Sequence, residues 1–347
     1  MRHELVCGAH PGRIAVVVTG LLVAAIYVGS GELAHFDPAL AGYCGATLVA
    51  CYATAYQVAA FWQRRPSAFY GRALLSATRH PRHLARVLRA AGRDVAAQRF
   101  IARRGRLRWL AHLSLAWGTL LGFAVTLPLV WGWLHFESAG DHRYRVVFAS
   151  LRVGDFATDG AIGWLIFHAL HLAAIAVVLG ATYFLALRLR LRRQPGVIDR
   201  FHLAPVLLLL AIALTGLALP AAASLGPWWF HIAALLHEAT VITLLVTLPY
   251  GKLLHLFIRP LHLGAQLVRE TSTESATCRC CALPLAPAVQ LRGVEAMLAA
   301  HGFRFAGHQQ LCPVCRRRQL ATVHSQLLGA QFQPQPAMRR APFKEAA

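Results

Sequence analysis

Charge is what this chain has least of. Only 14% of its 347 residues are charged and only 14 are acidic, whereas 57% are hydrophobic and the mean hydropathy is +0.49. Soluble domains carry about 25% charged residues, so this shortage excludes an ordinary soluble fold. A cleaved leader is not expected, because the first apolar run is long and is closely followed by a second. The closely clustered cysteine runs of ferredoxins are missing. So is a second half repeating the first, the pattern of many transporters.

Present instead are six apolar runs long enough to cross a bilayer, for which about 20 residues suffice. They lie at roughly 13–30, 38–62, 109–133, 161–187, 203–224 and 228–257. The expected fold is an all-α polytopic membrane protein of six transmembrane helices with a small Cys-rich C-terminal module.

The net charge of +21 has a pattern. From Arg64 to Arg108 there are thirteen arginines against one acid, Asp94, and Arg188, Arg190, Arg192 and Arg193 follow the fourth run. The alternate connections hold Glu32 and Asp37 in one, and Glu137, Asp141, Asp155 and Asp159 against three arginines in the other. Alternation of this kind is the positive-inside signature. It predicts a multi-pass membrane protein with both termini, the 64–108 segment and the 188–200 loop in the cytoplasm. Topology thereby accounts for the arginines, and nucleic acid is not an expected partner.

The chain divides into an N-terminal hairpin (1–63), a basic segment (64–108), a four-helix core (109–260), a Cys-rich module (261–330) and a disordered tail (331–347). The hairpin has few polar side chains, and Cys44 and Cys51 read as small buried residues. The basic segment has leucines and valines at helical spacing among its arginines. It reads as short amphipathic helices on the lipid surface, broken near Pro81 and Gly92. In the module, Cys278 and Cys281 form one C-x-x-C and Cys312 and Cys315 another, thirty residues on. Four thiolates so grouped suit one tetrahedral zinc, with iron–sulfur as the alternative. The reducing cytoplasm argues against disulfides. Cys280 is an extra thiol able to replace a neighbour.

Histidines within apolar runs are costly and usually functional. His237 and His255 are 18 residues apart, five turns at about 100° per residue, hence on one face of a continuous helix and about 27 Å apart. Axial haem ligation needs imidazoles facing across a bundle at matched depths. Counting from the arginine at each helix edge, His255 is four from Arg259 and His112 four from Arg108. His237 is 22 from Arg259, best matched by His168, 20 from Arg188; His171 is 17 away. His231 and His135 fall too high and His202 too low. The count predicts two haems, one on His112 and His255, the other on His168 and His237.

The segment from His237 to Pro260 resembles the last helix of the cytochrome b (gamma) subunit of respiratory nitrate reductase. It is also similar to the membrane cytochromes of sulfite- and heterodisulfide-reductase-type complexes. The likeness rests on two histidines 18 apart with Pro249-Tyr250-Gly251-Lys252 before the second. Five spans of that family correspond to part of residues 107–270. The resemblance implies that His237 and His255 ligate two b haems. The family's partner helix carries both other ligands ten residues apart; His112 matches the first, but ten residues later stands Gly122. The later spans and tail also look similar to bacterial proteins labelled as major-facilitator transporters, but six spans are too few for that fold.

What the resemblance implies is an electron-transfer subunit linking the quinone pool to a cytoplasmic iron–sulfur subunit and a molybdopterin catalytic subunit, as in nitrate reduction. Glu238, beside His237, is the expected group for quinone proton exchange. Two other classes are carried: a polytopic transporter with pore-lining histidines, and a membrane scaffold or sensor with a zinc ribbon.

Overall fold

The computed structural model describes residues 10–64, 67–77, 79–140, 142–192, 203–303 and 307–329. The tail 331–347, Arg193 and the following loop with His202 lie outside them. The chain divides into two compact units, residues 1–264 and 265–347.

The first unit is built on six helices long and apolar enough to cross a membrane. They are α1 (Pro11–Gly29), α2 (Ala41–Gln63, preceded by a 3-10 turn at Pro38–Leu40), α6 (Arg106–Val130), α7 (Ala161–Arg192), α8 (Ala204–Leu225) and α9 (Pro227–Thr247). Proline opens several elements, among them α1, the turn before α2, and α9. There its missing N–H costs nothing and its fixed φ suits the first turn. The 32 residues of α7 reach about 48 Å, more than the ~30 Å of hydrocarbon.

Five of the six expected spans agree with these helices to within a few residues. The sixth does not: α9 stops at Thr247 instead of running to 257. Pro249 is the reason, since it has no N–H for the carbonyl four residues back and its ring crowds that turn. The ladder ends with Leu248 N–H donating to Leu244 O (2.8 Å). The chain then turns, winds one 3-10 turn (Lys252–Leu254) and forms the short α10 (His255–Ile258). His237 and His255 are therefore not on one continuous helix.

Lipid tails are as apolar as leucine, so membrane helices associate by close packing of small residues rather than by expulsion of water. The α6–α7 pair shows this. A Cβ on Gly118 would sit 2.8 Å from Ala173 O, and one on Gly180 would sit 2.5 Å from Ala111 O. Those pairings run in opposite directions, so the helices are antiparallel. Ser114 Oγ donates across the same seam to Ala176 O at 2.7 Å. Ala111, Ala181, Phe184 and Val206 form one layer of α6, α7 and α8, and Val177, Leu209, Ala213 and Leu244 the next. Only Gly226 separates α8 from α9, and its φ of +120° is one that a side chain would oppose. α2 packs on α9 through Ala46, Ala50 and Leu245, and α1 packs on α2. Large apolar side chains on the outside, such as Leu21 (66% exposed) and Leu179 (65%), suit a lipid-facing surface.

The basic segment is helical as expected: α3 (Ser67–Ala77), α4 (Pro81–Ala90), a π-helical turn (Ala91–Ala96) and α5 (Arg99–Ala102). It breaks before Pro81, and near Gly92 it widens into the π turn. The connection from α6 to α7 is a folded meander rather than a plain loop. Strands β1 (Leu134–Ser138), β2 (Arg143–Phe148) and β3 (Leu151–Ala157) pair antiparallel in the order β1-β2-β3, Leu134 facing Phe148 and Tyr144 facing Phe156. Phe136, Tyr144 and Phe156 gather around Phe167 of α7.

The second unit begins within α11 (Leu261–Thr271) and continues with a hairpin of β4 (Ser275–Thr277) and β5 (Pro284–Pro287), then α12 (Ala288–Ala300) and α13 (Pro313–Leu328). Its small core is Cys278, Leu311 and Cys312, with Leu285 and Cys315 against them.

Candidate functional site

A cavity of about 440 Å³ opens between α2, α6, α7, α8 and α9. Its walls are almost wholly apolar, and Gly118, Gly122 and Gly216 keep them thin. Two imidazoles border it, His171 of α7 and His237 of α9.

His237 can be assigned a tautomer from its neighbours. Its Nδ1 is 3.0 Å from Thr215 Oγ1, and that hydroxyl already spends its proton on Ala211 O (2.8 Å). The threonine oxygen therefore accepts, Nδ1 carries the hydrogen, and Nε2 keeps a free lone pair. A Cβ at Gly216 would stand 3.2 Å from His237 Cε1, so glycine lets the ring come close to α8. His171 Nδ1 is buried with no hydrogen-bond partner among the described residues. A buried polar atom of this kind costs about 1–3 kcal/mol while it stays unpaired.

His168, the residue favoured by the depth count, does not border the cavity. Its ring stacks on Trp164 (centroids 4.6 Å apart) and its Nδ1 donates to Trp164 O at 2.8 Å. His171, one turn further along α7, is the residue that borders the cavity.

The other predicted pair lies toward the opposite end of α6. His112 and His255 are electrostatic neighbours. His112 places Nδ1 2.5 Å from Gln98 Oε1 and turns its edge to Phe184, 6.0 Å away. His255 directs Nδ1 to Lys252 O at 2.5 Å, so here too Nε2 is unengaged by the backbone. Glu238 lies against Gly42 of α2, where a Cβ would collide with its carboxylate. It is also an electrostatic neighbour of Tyr43, which borders the cavity. Of the remaining candidates, His231 is exposed and His135 stacks on His35 with centroids 3.9 Å apart.

Gln98, Thr215, Gly216 and Tyr43 were not singled out in the sequence. Thr215 is 22 residues from the histidine it orients and Gln98 is 14 from its own, so no short motif connects them.

In the second unit the sulfurs of Cys278, Cys281, Cys312 and Cys315 all lie within 4.8 Å of one another. Tetrahedral zinc with Zn–S of about 2.3 Å requires sulfurs about 3.8 Å apart, and Cys281 and Cys312 are separated by 3.7 Å. The group can thus hold a metal ion such as zinc. Cys280 is exposed and stands outside it. Backbone amides lower two of the four thiols, Cys278 and Cys312, while hydrogen bonding to Cys312 pushes Cys315 up. The Cys312 N–H, 3.2 Å from Cys278 Sγ, holds that thiol down at about 6. The Cys315 N–H, 3.4 Å from Cys312 Sγ, lowers Cys312 in turn. Cys312 is also the N-cap of α13, ahead of Pro313.

Comparison with family models, curated proteins and solved structures finds no match for this chain.

Proposed function

We propose that this protein is a dihaem b-type membrane anchor that passes electrons between the quinone pool and a cytoplasmic redox complex. The observation that carries the reading is the pair His171 and His237, from α7 and α9, both bordering one apolar cavity. Its size falls within the 300–1,000 Å³ usual for cofactor pockets, and its glycines admit a flat ring against the backbone. One haem would be held by His171 and His237 and a second by His112 and His255. A metal-ligating histidine normally gives its other N–H to an acceptor. Thr215 Oγ1, Gln98 Oε1 and Lys252 O are those acceptors for three of the four rings.

Haem supplies reversible one-electron transfer, and the chain supplies ligands, spacing and a low-dielectric shell. Glu238, an electrostatic neighbour of the cavity-lining Tyr43, would exchange the protons that accompany quinol oxidation. The arginine-rich segment would face the cytoplasm and steer an acidic iron–sulfur subunit, itself coupled to a molybdopterin subunit. The cysteine group would hold structural zinc in that compartment.

The test is a pyridine haemochrome assay with metal analysis on purified protein. About two b haems and one zinc per chain are expected. A preparation with zinc and no haem favours a second reading, a membrane scaffold whose zinc ribbon recruits a partner, for which the cysteine geometry alone speaks. Absence of a Soret band together with substrate uptake by vesicles supports a transporter.

A further inference from the structure

We propose that Gln98 is the positioning residue of the His112–His255 pair, fixing which nitrogen His112 presents. The proposal rests on the dihaem reading above. Gln98 lies in the basic segment, which the resemblance did not cover. Its side-chain oxygen is 2.5 Å from His112 Nδ1. An amide oxygen can only accept, so Nδ1 carries the hydrogen and Nε2 is free.

The backbone shows that this placement is enforced. Gln98 has φ +50° and ψ +37°, the left-handed region, which is unfavourable for a residue with a Cβ. Residues in such regions persist only when their surroundings over-determine them, and they concentrate at functional sites. Two donors hold the chain immediately before it. Trp109 Nε1 donates to Ala97 O at 2.7 Å and Trp117 Nε1 to Ala96 O at 3.1 Å. Both indoles belong to α6, the helix that carries His112, on either side of it. The π turn of residues 91–96 runs directly into the same spot, and π turns are themselves frequent at functional sites.

The segment also reaches the other ligand's element. Phe100 lies under the Arg259 guanidinium at 3.9 Å, and Arg259 N–H donates to His255 O at 2.9 Å. Residues 96–100 therefore touch both α6 and α10, and act as a clamp on the paired histidines. A stronger acceptor on Nδ1–H makes Nε2 a stronger donor and stabilises the oxidised iron. Gln98 would thereby tune the potential of a haem held by this pair, and not that of the other.

The experiment compares wild type, Gln98→Glu and Gln98→Gly by redox titration followed optically and by low-temperature EPR. Glutamate is the stronger acceptor, and one of the two haem potentials should fall. Glycine tolerates the positive φ while deleting the amide, so the same haem should rise in potential or lose occupancy. The second haem should be unchanged in both. Two haems in wild type, with potentials and g-values unmoved in both variants, overturn the positioning role and leave the dihaem reading standing. A wild type without haem overturns both. Should the glycine variant fail to accumulate, the glutamate variant alone decides.

Discussion

Replacing His171 by alanine and, separately, His168 by alanine discriminates between two ligands one turn apart. In the proposed scheme each haem has two imidazoles, so His171→Ala removes one of the two that border the cavity. Haem content should fall from about two per chain toward one, halving the Soret absorbance, and any haem left in the cavity should become high-spin. The variant should still fold. His171 Nδ1 is a buried atom without a partner among the described residues, so its deletion removes a desolvation cost of about 1–3 kcal/mol. His168→Ala loses only a stacked contact with Trp164 and a local bond to Trp164 O, and should keep both haems low-spin. Pyridine haemochrome quantification and EPR read the difference. If His171→Ala kept two low-spin haems, the cavity would not be a haem site; loss of one haem in His168→Ala would restore the depth count.

Cys312→Ser should abolish zinc binding and unfold the C-terminal unit, because such a site supplies much of a small domain's folding free energy. Haem content should not change, and Cys280→Ser should be silent; elemental analysis and limited proteolysis check both. His135 is held below its ordinary 6.5 by burial first and by stacked His35 second, with Glu137 opposing. A depressed histidine favours the fold while neutral, so that contribution is complete above about 6.5 and is lost as pH falls through the lower folded value. Acidification below 6.5 should therefore loosen residues 31–37 from β1, read by hydrogen exchange, and His135→Phe should remove the effect. Reversing Arg103, Arg104 and Arg106 to glutamate should weaken capture of an acidic partner while both haems stay bound. Unchanged co-purification in that variant would remove the basic segment from the docking surface.

The spans were legible because a bilayer demands a long apolar run and the chain has little else. The cysteine group was legible too, since two C-x-x-C knuckles bring ligands together locally and need only one long-range contact. The β meander was hidden for a physical reason. Its second turn, at Ala149-Ser150, takes positive φ without glycine, so the usual hairpin signal is absent there. The cavity was hidden because glycines on α6 and α8 make it, and apolar periodicity does not register missing side chains. Depth counting paired His112 with His255, which are electrostatic neighbours. It chose His168, whereas the cavity is bordered by His171, one turn away on α7, a difference too fine for counting from an arginine to resolve.

The interruption at Pro249 bears on how the two pairs are kept apart. An unbroken helix would carry His255 five turns from His237, on the same face, at about 27 Å. Instead the chain bends after Leu248, Leu253 packs against the Val177–Leu209–Leu244 layer, and Arg259 comes to Phe100. Each contact draws α10 toward the bundle, and with it His255 toward His112. Pro249→Ala restores an N–H four residues after the Leu245 carbonyl. It also favours helix by about 3 kcal/mol at that position, enough to compete with one packed leucine and one cation–π contact of about 0.5–2 kcal/mol. The helix should then extend through residue 251 and swing His255 out of register with His112. The expected result is loss or high-spin conversion of one haem, with the haem on His171 and His237 intact because His237 lies 12 residues before the proline. Midpoint potentials and EPR signals measured haem by haem decide it. Two unaltered haems would show that the bend is only a spacer, and loss of both would show that it holds the bundle itself.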